Sequence, residues 1–246
     1  MHANHPQAGS TGPGEVLVAA DGTGQYTSLK EAVQRVAEGT RIRVRPGIYR
    51  EGNIIDRPLE IIGDGKHEEI VIEASDSDCI RMEAGQAVVK GLSLRCRAGS
   101  AGPDELCGVD VAKGHLLLVE CNITSDTWAC VTVHGANTVA TIRDCRTHDG
   151  ERSGVWVYWR GRGTFEGCDI FGNARAGVEV RLAGDPIVRN CRIHYNGYES
   201  VRIFAGGRAT VEGCDLTGNK QGAWKISGGM LSFLYGRRIV SRDNRE

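Results

Sequence analysis

Trp156, Glu179, Arg202 and Lys225 follow one another at intervals of 23 residues, and Thr132 precedes them by 24. A second series, Tyr158, Arg181 and Phe204, keeps the same interval, with His134 24 residues before it. Aromatic faces stack on sugar rings, and guanidinium groups donate paired hydrogen bonds to carboxylates and hydroxyls. Brought onto one surface, these residue types could bind a glycan. Six of them, Trp156, Tyr158, Glu179, Arg181, Arg202 and Phe204, form the candidate ligand-binding set. The competing structural account is that large side chains simply cover a sheet face and stack on one another.

Catalytic chemistry has less support. Asp110 and Glu179 would lie about three strand spacings apart, roughly 14 Å, whereas calcium oxygens lie within ~2.5 Å of the ion. Asp144, Asp149 and Glu151 could supply a pair of carboxyl groups for glycoside hydrolysis. They fall in turn-like stretches, however, where Asp commonly serves local hydrogen bonding. His115, His148 and His194 are isolated, and no CxxC spacing suggests zinc. No catalytic residue, metal ligand or cofactor is assigned on this basis, and an enzymatic role is disfavoured but left open.

The spacing of these residues implies a repeat that positions them. Cys96, Cys121, Cys145, Cys168, Cys191 and Cys214 are 25, 24, 23, 23 and 23 residues apart, and Asn173, Asn196 and Asn219 keep step. Val155/Val157, Val178/Val180 and Val201/Ile203 alternate at period two between Gly- and Asn-rich turns, so each unit reads as three short strands. A leucine-rich repeat would need a leucine ladder, which is missing. The pattern predicts an all-β fold: a three-sheet, right-handed parallel β-helix of about eight rungs, with identical columns stacked ~4.8 Å apart. Two columns alternate in sign, Glu120, Arg143, Glu166, Arg189, Glu212 and Arg146, Asp169, Arg192, Asp215. Opposite charges would then be neighbours along the outside.

The 246 residues, 40% of them apolar, are enough for one elongated domain, and a net charge of −1 argues against nucleic acid as a partner. A polysaccharide or a protein partner remains; oligomeric state is not readable. No run is long enough for a transmembrane span, and no signal peptide is visible. The nine cysteines, six of them in one inward column, read as free buried thiols, and with the missing export signal they suggest the cytoplasm. Residues 1–14 read as disordered, 15–228 as the β-helix with its N-terminal cap, and 229–246 as a C-terminal cap or a docking tail. Ser28 to Glu31 is a capping box opening a short amphipathic helix with Leu29, Ala32, Val33 and Val36 in phase. Such a helix would cover the open end of the solenoid. Longer loops near Ala98 to Leu106 and Thr147 to Ser153 break the period.

Val18 to Val33 (VAADGTGQYTSLKEAV), Arg45 to Glu51 (RPGIYRE) and Leu59 to Gly65 (LEIIGDG) resemble the opening of pectin methylesterases in the pectin lyase-like superfamily. The resemblance covers about the first quarter of the chain and implies the β-helix fold with its cap. Further on, Asn173 to Val178 and Asp185 to Asn196 resemble β-helix repeats of carbohydrate-binding and sugar-hydrolase-type domains, including those of certain F-box proteins. The esterases' catalytic pair of Asp, with Gln donors, has no counterpart in Cys130 to Gly135 or Gly154 to Arg160. The resemblances thus imply a non-catalytic module binding a polysaccharide or a protein. The alternatives are a carbohydrate-active lyase or hydrolase acting on acidic glycans, and an assembly scaffold.

Overall fold

Short runs in which every second residue is apolar place those residues on one face of an extended strand. Val155, Val157, Val178, Val180, Val201 and Ile203 are accordingly buried, while their neighbours face outward. In the computed structural model, which describes residues 14–99, 105–228 and 239–246, these strands stack in parallel. Three sheets of ten, eight and seven strands among the described residues enclose one continuous apolar core. The solenoid has about nine turns. Dividing Arg41 to Gly228 by the period gives eight, because it leaves out Glu15–Val18 and Ile239–Arg242, which extend the ten-stranded sheet at its two ends.

The helix Leu29–Arg35 forms where the capping box places it, and Ser28 Oγ accepts the Glu31 N–H at 3.0 Å. The return half of the box is supplied from elsewhere. Glu51, not Glu31, takes the free N–H groups of Leu29 and Lys30 and the Ser28 hydroxyl, at 2.6, 3.1 and 2.6 Å. Leu29, Ala32 and Val33 are buried against the first rungs, so the helix covers the N-terminal end of the core.

The cysteine column holds five members, Cys121, Cys145, Cys168, Cys191 and Cys214. Each but the first occupies the residue before a strand start, one rung beyond its predecessor, and all nine cysteines are buried and free. Cys96 is not in that column. Asn122 pairs with Ser93, which puts Leu92 one rung below Cys121, while Cys96 lies opposite Ser125. The insertion near 98–106 lengthens that rung, so the 25-residue step from Cys96 matches the period only by coincidence. Glu120 likewise leaves its charge column. It turns at φ 52° and pairs with Lys90 at 3.3 Å, whereas Arg143, Glu166, Arg189 and Glu212 stay in register. Arg146, Asp169, Arg192 and Asp215 also stack as read. The expectations for residues 1–13 and 229–238 lie outside the described residues.

Candidate functional site

The outer face of the eight-stranded sheet carries both candidate columns. Thr132, Trp156, Glu179, Arg202 and Lys225 are register partners from strand to strand, and His134 pairs with Tyr158. The six predicted ligand-binding residues are brought together. The Arg181 guanidinium lies 4.2 Å from the Trp156 ring, 6.0 Å from Tyr158 and 5.8 Å from Phe204, and Arg202 lies 5.9 Å from Phe204. Cation–π attraction holds the guanidinium groups over the rings.

Trp156 is not an open platform. Arg181 and Trp128, the latter 5.1 Å away, cover it, leaving the side chain buried with its Nε1 unpaired. Trp159 is the open ring instead. It is 59% exposed at the mouth of the same hollow, tilted against Tyr158 at 5.2 Å and edge-on to His134 at 6.3 Å. Its backbone turns at φ 46°, which ends the strand Val155–Tyr158 and swings the indole off the sheet. Gly154 to Arg160 reads as one run in the sequence, which hides this turn. The signal was present: Leu182 and Ala205, 23 and 46 residues on, have the same positive φ.

These rings wall a hollow of about 270 Å³ that is also lined by Arg152, Arg175, Arg181, Glu105 and Glu179. Arg152 stacks on Trp128 at 4.1 Å, and Glu179 accepts a hydrogen bond from Ser153 Oγ at 3.1 Å. Among the described residues, none of the three arginines has a carboxylate within ion-pair distance. Three guanidinium groups against two carboxylates, with aromatic walls, suit an anionic ligand that has a ring to stack.

Two rungs toward the N-terminus the same face carries a cluster that the sequence does not reveal. Asp110 Oδ1 accepts hydrogen bonds from Thr132 Oγ1 at 2.6 Å and from His134 Nε2 at 3.0 Å, and Asp110 Oδ2 accepts one from Arg81 Nη1 at 2.9 Å. Burial acts to raise the Asp110 pKa, but the His134 and Thr132 hydrogen bonds and the Arg81 charge outweigh it and hold the carboxyl below its ordinary value. Asp78 is close by, 3.7 Å from the same Arg81 nitrogen, and accepts the Cys107 N–H at 2.7 Å. Burial, aided by the charge of Asp110, pushes Asp78 up to about 6. Burial, with the same charge, also pushes Tyr158 up to about 12. Val109 pairs with Ile80 across the long loop, 29 residues apart, so the regular period does not bring Asp78 and Asp110 together on paper. Both oxygens of Asp110 are engaged and its side chain is 8% exposed, which is the condition of a structural carboxylate.

Asp78 gives a pH signature. Between its ordinary 3.8 and the folded value near 6 the native chain holds more protons than the unfolded one, so this group lowers stability as pH rises through that window. Asp78→Asn keeps an acceptor for Cys107 and cannot ionise. Urea unfolding at pH 7 should find the variant more stable than the wild type by roughly 2 kcal/mol, with the difference gone at pH 4.

The remaining sequence candidates are placed elsewhere. His148 stacks on Phe171 and Phe171 on His194, a ladder on the outside of the seven-stranded sheet, and His115 sits on the ten-stranded sheet. Asp144 and Asp149 occupy turns with φ 52°. Among the described residues no group of three or more His, Cys, Asp or Glu is placed to hold a metal ion, and no helix is long and apolar enough to cross a membrane.

Known proteins share this architecture. A family model described as a right handed beta helix region matches residues 104–236. Pectinesterase 3 of Solanum lycopersicum is 32% identical over 101 residues, which is 36% of this chain and 19% of that protein, so the chain spans less than a fifth of that relative. A pectin methylesterase from Aspergillus niger superposes with a TM-score of 0.70 at 15% identity, covering 99% of this chain and 87% of the other. A pectate lyase superposes at 0.59 and 12% identity, covering 91% and 80%. At these identities the superpositions establish the fold.

Proposed function

The chain belongs to the right-handed β-helix family, and from that premise we propose that it is a non-catalytic module that binds acidic polysaccharide on the outer face of its eight-stranded sheet. One observation carries this reading. Arg152, Arg175 and Arg181 converge on an aromatic hollow without a carboxylate ion-pair partner among the described residues. A uronate supplies what is missing: a carboxylate for a planar, bidentate guanidinium contact and a ring face for Trp159. Pectin, for which the similar esterases are named, is a polymer of this kind. Trp156 and Phe204 support the site from beneath by holding Arg181, and Arg202 extends it along the axis. The buried, unbridged thiols fit a reducing compartment, and we place the protein in the cytoplasm.

A second reading has one observation in its favour. Asp78, held up near 6, stands beside an ionised Asp110, and unequal carboxyls are what a glycan-cleaving enzyme uses as acid and base. Titration of the wild type with uronate, neutral and sulfated oligosaccharides, followed by product analysis of each mixture, separates the two. We expect binding confined to the acidic chains, with every chain recovered intact. Shortened or unsaturated products would replace the module by an enzyme, and indifference to charge would remove the arginines from the argument.

A further inference from the structure

A second hollow lies where the capping helix meets the first rungs, about 450 Å³ and apart from the basic one. Asp56, Asp76 and Asp78 line it, together with Lys30, Asn53 and Ile54. Its charge balance is opposite to that of the basic hollow. The lining also includes Arg81, but that guanidinium is already committed to Glu83 at 2.7 Å and Asp110 at 2.9 Å. Against three carboxylates this leaves Lys30 as the cation not paired within the protein. Asp76 is exposed and has no hydrogen-bond or ion-pair partner among the described residues. Asp78 is almost fully buried, so its charge is poorly screened by water.

Two further features say what would fit. Asn53 is 1% exposed, and its Nδ2 donates to the Cys79 carbonyl at 3.2 Å while its Oδ1 has no donor. A buried acceptor left without a donor on the wall of a hollow marks a missing donor group. Ile54, 55% exposed, adds an apolar surface to the same wall. The complement is a compact ring with one apolar face, several donors and a positive charge, and the volume is that of a small-ligand site.

We propose that this hollow is a second subsite that takes an amino sugar, its ammonium set against Asp76 and Asp78 and its ring against Ile54. The proposal does not depend on what the basic hollow binds. It gives the face two ends of opposite preference, an ammonium-bearing unit by the capping helix and a carboxylate-bearing unit about three rungs further on.

The test is an NMR titration of the full chain at pH 7 with four probes: glucosamine, glucose, galacturonate and butylamine. Glucosamine should perturb the amides of residues 52–56 and 76–81 and bind at least tenfold more tightly than glucose, which has the ring without the charge. It should also exceed butylamine, which has the charge without the ring. Galacturonate should leave those amides unmoved. Asp76→Asn, an exposed change, should weaken glucosamine about fivefold and leave binding of an oligogalacturonate at the basic hollow unaltered; Asp78→Asn should weaken glucosamine further. Glucose or butylamine matching glucosamine, no perturbation by glucosamine, or undiminished binding in Asp76→Asn would each overturn the proposal. Failure of oligogalacturonate to bind would bear on the basic hollow alone.

Discussion

Asn196→Ala is expected to remove about 3–5 kcal/mol of unfolding free energy, a large share of what a domain of this size possesses. The side chain is 1% exposed and sits in the middle of a ladder of amides. Its Oδ1 accepts from the backbone N–H and the Nδ2 of Asn173 at 3.1 and 2.8 Å. Its own Nδ2 donates to the Ile170 carbonyl at 3.1 Å and to Asn219 Oδ1 at 2.9 Å. Truncation strands two donors on one rung and two acceptors on others, all away from water, and each stranded group costs about 1–3 kcal/mol before relaxation. Asn219→Ala should cost less, because that residue is only partly buried at the end of the ladder. Urea denaturation of the two variants checks the order. A loss below about 1 kcal/mol for Asn196→Ala would mean that the ladder decorates the turn without holding it.

Arg175→Glu is expected to weaken binding of acidic oligosaccharide on the order of 100-fold while leaving the fold intact. The guanidinium lines the basic hollow and makes no side-chain hydrogen bond or ion pair among the described residues, so nothing in the protein needs it. Reversal deletes a charge-assisted contact, worth about 1.5–3 kcal/mol, and adds repulsion. Trp159→Ala should cost less, about five- to tenfold, through lost stacking, again without unfolding because the ring is 59% exposed. Trp156→Ala with Tyr158→Ala is a poorer probe. Trp156 is buried under Arg181 and Trp128, so its loss would unpack the face and confuse binding with stability. Calorimetric titration of both single variants, with thermal unfolding alongside, decides. Equal affinity in Arg175→Glu would move the ligand off this hollow.

What could be read in the sequence follows from where the period holds. From Val131 to Lys225 each rung is 23 or 24 residues, so the valine pairs, the charge ladders and the outward series Trp156, Glu179, Arg202 could be stacked on paper, and the register agrees. The fold class needed nothing more, because strand alternation and a fixed repeat leave few ways to bury those faces. The period breaks between Leu92 and Cys121, and Cys96 masked the break by falling near the right spacing. That one slip hid the alignment of Ile80 with Val109, and with it the meeting of Asp78, Arg81 and Asp110. Composition named the binding residues but not their exposure. Trp156 and Trp159 are the same residue type three positions apart, and only the positive φ of Trp159 decides which is open to a ligand.

The central claim is recognition of carboxylates by unpaired guanidinium groups, and the most direct measurement is the affinity of one oligogalacturonate before and after complete methyl esterification. Esterification removes the charge and keeps the sugar rings, linkages and stacking faces. We predict that the free acid binds, that its affinity falls as ionic strength rises, and that the ester binds at least tenfold more weakly. An ester that binds as well as the acid would contradict the account, since the three arginines of the hollow would then have no part in choosing the ligand.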